Sequence, residues 1–160
     1  MMRDIKKWAS GLAVLLIIGA GIWGISKIPG VRSMGDPLSV CVNHGGVSMH
    51  IHPRLEITIN GKPQDIPAEV GNDRGCMRPM HMHDTSNTVH IESPVKRDFT
   101  LGQFFKIWEK PFSRDQIFDH RVDETHELAV TVNGYRMDTY ENTVLRDKDV
   151  VLIEYRSKVD

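Results

Sequence analysis

The sequence predicts an α+β protein: an N-terminal transmembrane helix, then a small antiparallel or mixed β-sheet domain with two short helices. Three observations predict it. Residues Trp8 to Ser26 carry no charge. Two stretches, "LEITING" and "LAVTVNG", alternate apolar and polar residues into an Asn-Gly pair. Between them, "TLGQFFKIWEK" spaces its large apolar residues as a helix does.

The uncharged run of 19 residues is about long enough, at a rise of 1.5 Å per residue, to cross the hydrocarbon core. Arg3, Lys6 and Lys7 precede it. The positive-inside rule then sets the expected location: a single pass through the cytoplasmic membrane, N-terminus inside and C-terminal domain outside. The competing reading is a cleaved signal peptide, although no A-x-A-like site follows. The expected organisation is a cytoplasmic tip and anchor over 1–28, a linker over 29–40 rich in Pro and Gly, and an extracytoplasmic His-rich domain over 41–160.

Within that domain, Leu55, Ile57 and Ile59 alternate with Glu56, Thr58 and Asn60, a half-buried strand that turns at Asn60-Gly61. Residues 67–79 read as loop, and "TVHIES" (88–93) as a short strand. Thr100 and Gln103 make a capping box, and Leu101, Phe104, Phe105 and Trp108 form an apolar stripe that belongs in a core. Pro111 ends this helix. Ser113 and Gln116 suggest a second capping box and a second short helix over "SRDQIFDH". A strand, a turn at Asn133-Gly134 and a final strand over "DVVLIEYR" close the chain. This last unit, placed after a helix, resembles part of a β-grasp fold, an analogy of topology and not of function.

Net charge is −1, from 20 basic and 21 acidic residues, which is no electrostatic footprint for nucleic acid. Histidine stands out. Six of the eight histidines lie between His44 and His90. In an extended chain, residues i and i+2 point the same way. His50 and His52 in "HIH" therefore share a face, as do His81 and His83 in "HMH", and His90 and Glu92 form a third pair. Two adjacent strands carrying such pairs offer three or four imidazoles to one transition-metal ion. The expected ligands are His50, His52, His81, His83 and His90. Asp84 or Glu92 would orient a ring through its N–H. Neighbouring methionines tilt the expected metal to copper, with zinc as the alternative, although Met49, Met80 and Met82 are better placed to pack against the core. His120 and His126 read as structural or surface residues.

Cys41 and Cys76 flank the two histidine segments. Outside the cytoplasm they are expected to pair as a disulfide, the alternative being thiolate ligation of metal. The function these features suggest is metal handling, or service to a membrane metalloenzyme, without catalysis of its own. The alternative of another class is a structural or protein-interaction module.

Resemblances add to this reading. "HIHPRLE" resembles the cupin metal-ligand segment, which would make His50, His52 and Glu56 ligands of an enzyme; the flanking glycines are off spacing. "CMRPMHM" resembles the Cys…His…Met loop of cupredoxins, with His44 upstream, but sits mid-chain. "IPAEVG", "HMHDTSNTVHIESP" and "FTLGQFFKIW" together resemble a poorly characterised His-rich domain of membrane-anchored archaeal and bacterial proteins, over most of residues 44–112. That resemblance implies importance for His50, His52, His81, His83 and His90, and no reaction. No H-E-x-x-H, nucleophile elbow, phosphate-binding loop or C-x-x-C is present.

Overall fold

The computed structural model describes residues 38–73 and 75–158. In chain order the strands are β1 (Met49–Ile51), β2 (Arg54–Ile59), β3 (Lys62–Pro63), β4 (Asn72–Asp73), β5 (Cys76–Met77), β6 (Met80–His81) and β7 (His90–Ser93). Helix α1 (Leu101–Ile107) follows, then β8 (Phe112–Ser113), β9 (Gln116–Ile117), β10 (His120–Arg121), β11 (His126–Val132) and β12 (Tyr135–Arg136). A 3-10 turn (Tyr140–Asn142) precedes β13 (Val150–Ser157).

The main sheet has the order β12-β11-β13-β2-β3. Its central pair, β13 with β2, is parallel, and every other pair is antiparallel. Both Asn-Gly pairs turn the chain with positive φ at each residue (49° and 75° at Asn60-Gly61, 53° and 84° at Asn133-Gly134), as a two-residue hairpin requires. Alternation gives the sheet its buried face: Leu55, Ile57 and Ile59 of β2, Leu128 and Val130 of β11, and Val151, Ile153 and Tyr155 of β13. They join Leu101, Phe104 and Phe105 of α1 in one core. Each such side chain, fully buried, stabilises the fold by roughly 1.5–3 kcal/mol. The start of α1 is secured by its own third residue, since Gln103 Oε1 accepts the Thr100 N–H at 3.0 Å.

The α+β expectation, with its transmembrane helix, two short helices and β-grasp-like end, is corrected. The described chain is mostly strand, with one α-helix among the described residues. The expected second helix is instead the meander β8-β9-β10, with Phe112 opposite Ile117 and Ile117 opposite His120. Ile117 is the only large aliphatic side chain in "SRDQIFDH". A helix there would have buried one residue, whereas the meander sets Ile117 between partners on both sides and buries it fully. The location is corrected as well. Among the described residues no helix is long and apolar enough to cross a membrane, and the run 8–26 on which the anchor rested lies outside the described residues, as does most of the expected linker.

A second sheet, of order β1-β7-β6, carries the histidine segments. Pro53 separates β1 from β2. It has no N–H to give a ladder, and the chain changes partners across it: β1 pairs with β7, β2 with β13. The two sheets stay joined at this point. The Pro53 carbonyl accepts the Val89 N–H, and the Leu55 N–H donates to the Asn87 carbonyl, both at 2.9 Å. The histidine-bearing strands are thereby fixed to the main core.

Candidate metal centre

Register in the small sheet decides which side chains meet. Residues directly opposite in an antiparallel pair point to the same face. Ile51 is opposite Ile91, and Ile91 opposite Met80. Ile91, Met80 and Met82 are fully buried in the core. The alternate positions emerge on the other face: His50 opposite Glu92, and His81 opposite His90. His52 continues the β1 register by one residue and stands beside His90, their ring centroids 4.7 Å apart. His90 and Glu92 therefore share the face of His81, and do not form a separate pair on another.

Among the described residues two groups of imidazoles have ligand nitrogens all within 4.8 Å of one another: His50, His52 and His90, and His81, His83 and His90. All five residues expected as ligands are present in these groups, divided into two triads that share His90. Ring centroids lie 4.5 Å apart for His50–His52, 4.7 Å for His81–His83 and 4.5 Å for His83–His90.

Hydrogen bonds fix which nitrogens are open. His81 is fully buried, and its Nδ1 lies 2.9 Å from the Arg78 carbonyl oxygen. A carbonyl only accepts, so Nδ1 carries the proton and Nε2 the lone pair. That Nε2 accepts from the His83 Nε2–H at 3.2 Å, a proton that a metal ion would displace. On the other side, His50 Nε2 lies 3.1 Å from Glu92 Oε1, which leaves Nδ1 of His50 as the nitrogen to offer a ligand. The Glu92 carboxylate is wholly buried, and its Oε1 is also 2.9 Å from His44 Nδ1. Its Oε2, like His90 Nδ1, is buried without a hydrogen-bond partner among the described residues.

Two rings of the centre are hard to protonate. Burial first, and then electrostatic repulsion from His83, His52, His81 and His50, pushes His90 down to about 4. Burial also lowers His81, against the raising effect of its bond to the Arg78 carbonyl. A neutral ring keeps its lone pair for a metal, and protonation removes it. His90 thus stays available well into the acidic range.

Several expected roles fall elsewhere. Asp84 is exposed, and hydrogen bonds from the Ser86 side chain first, and then from the Ser86 N–H at 2.8 Å, hold its carboxyl below the usual range. Glu56, the cupin-like candidate, lies on β2 and pairs with Arg54 at 2.9 Å. His126 stacks on Tyr155, and His120 packs on the same ring, both at 5.1 Å between centroids. Cys41 and Cys76 form a disulfide, which takes both thiols out of any ligand set. His44 was not among the expected ligands, and its link to Glu92 spans 48 residues, beyond what spacing alone reveals. No family model, curated protein or solved structure matches this chain.

Proposed function

We propose that this protein binds a transition-metal ion through imidazole nitrogens and acts in metal handling. The observation that supports this most is the 3.2 Å approach of His81 Nε2 to His83 Nε2, with the His81 tautomer set by the Arg78 carbonyl. Two nitrogens on a tetrahedral ion at about 2.0–2.1 Å lie about 3.3–3.4 Å apart. The pair is thus already spaced as the edge of a coordination polyhedron, with His90 in reach as a third donor. Glu92 plays the part of an orienting carboxylate for His50, the arrangement that commonly fixes metal-bound histidines.

The donor set bears on the metal. Met80 and Met82 are fully buried in the core, so no thioether argument for cuprous ion remains there. Imidazoles alone suit divalent copper or zinc, and the general affinity order places copper(II) above zinc(II). Affinity makes copper(II) the first choice, and the tetrahedral spacing of the His81–His83 pair suits zinc(II), the second. The exposed His50 and His83 leave the ion open to exchange, as uptake and transfer require.

The test is titration of copper(II) and zinc(II) into the metal-free chain, compared with His83→Ala and with His81→Ala/His83→Ala. His83 is exposed, so its truncation leaves the core alone. Loss of this ligand is expected to weaken binding at the His81–His83 site at least about 100-fold, beyond the 10–100-fold typical for an outer-shell partner. Affinity and ions bound per chain both unchanged in the two variants would falsify the proposal.

A further inference from the structure

Resting on that reading, we propose that the five histidines form a two-ion centre in which the His90 ring bridges both ions, one nitrogen to each. The two triads have no residue in common except His90, and no larger group containing all five meets the same separation among the described residues. His90 lies on β7, the middle strand, between β1 on one side and β6 on the other. Its ring plane stands at 90° to that of His52 and 70° to that of His83, the exposed imidazole on either side.

The two halves are built alike. In each, one imidazole is anchored by a hydrogen bond away from the centre: His50 to Glu92 at 3.1 Å, and His81 to the Arg78 carbonyl at 2.9 Å. Each half adds a partner two residues along the chain, His52 or His83. Each then needs a third nitrogen, and among the described residues His90 supplies it to both. The buried Nδ1 of His90 has no hydrogen-bond partner among the described residues, a costly state for a polar atom, and an ion on that side would satisfy it.

The chemistry balances simply. The neutral His90 ring has one lone pair and one N–H. The first ion takes the lone pair. The second bonds to the other nitrogen as its proton leaves to water, so one proton is released per chain for the bridge. Ions so joined lie about 6 Å apart, given metal–nitrogen bonds of about 2.0–2.1 Å.

The experiment loads the full chain with excess copper(II), removes unbound metal by desalting, and measures copper per chain together with the electron paramagnetic resonance intensity. The expected wild-type result is two ions per chain, with intensity well below that of two isolated copper(II) ions because the shared ring couples their spins. His52→Ala and His83→Ala, each altering an exposed side chain of one half, are expected to hold one ion per chain at full intensity. One ion per wild-type chain overturns the two-ion centre and leaves the metal proposal standing. Two ions at full intensity overturn the bridge, and so does a second ion retained in both variants. No bound copper in the wild type overturns the metal proposal itself, and the bridge with it.

Discussion

Removing the Cys41–Cys76 bridge lowers the unfolding free energy by about 4 kcal/mol. The bridge closes a loop of 35 residues, and the chain-entropy relation gives that figure for such a length. Other contacts also tie the first described residues to the fold, among them the burial of Leu38 in the core. Val42 N–H donates to the Met77 carbonyl at 2.8 Å. Arg78 Nη1 donates to the Ser39 carbonyl at 3.0 Å. Without the disulfide the segment, and with it His44 on Glu92, is held by non-covalent contacts such as these. Urea unfolding of Cys41→Ala/Cys76→Ala against the oxidised wild type reads the effect as a lower midpoint. It also reads a steeper transition, because the unlinked unfolded chain expands and exposes more surface. Equal midpoints would contradict a stabilising bridge.

Substituting Gly71→Ala destabilises the protein by about 2–5 kcal/mol and weakens metal binding with it. Gly71 has φ +78°, a region that costs an L-residue roughly 1–2 kcal/mol. A methyl there would also overlap the Met80 carbonyl oxygen and approach His81 Cα and Cβ to 3.1 Å. Those are backbone and near-backbone atoms of β6, which cannot swing aside as a side-chain tip would; overpacking of this kind typically costs about 1–3 kcal/mol more. The strand that must move is the one that sets the 3.2 Å spacing of His81 and His83. Gly134→Ala supplies the control. Its φ is also positive, but nothing lies within 4 Å of the added methyl, so it is expected to cost stability and leave metal affinity unchanged. Thermal or urea unfolding with parallel copper titration separates the two; equal metal affinity in Gly71→Ala would show that β6 does not position the ligands.

Much of this architecture was legible in the residues. Alternation marked β2, β11 and β13, the Asn-Gly pairs marked both hairpins, and the spacing of Leu101, Phe104 and Phe105 marked the helix. Each is a local signal with its cause within a few residues. The turn chemistry around Ile117 was misread because capping-box residues also serve in short loops: Ser113 Oγ is 3.3 Å from the Asp115 N–H, and Gln116 Nε2 donates to the Phe118 carbonyl at 2.6 Å. The i, i+2 rule paired the histidines correctly along each strand. It left open which pairs share a face, since that depends on the register of β1, β7 and β6, set by packing of Ile51, Ile91 and Met80. The division into two triads around His90 is likewise a product of strand order, which no spacing encodes. Nor does it reveal that Glu92 takes the rings of both His44 and His50.

The most direct measurement of the central claim, that the imidazoles on this face hold the metal, is X-ray absorption at the copper edge of the copper(II)-loaded chain. The expected spectrum shows a first shell of nitrogen at about 2.0 Å with the outer-shell scattering of several imidazole rings, and no sulfur near 2.3 Å. A first shell of oxygen alone, or one containing thioether sulfur, would contradict it.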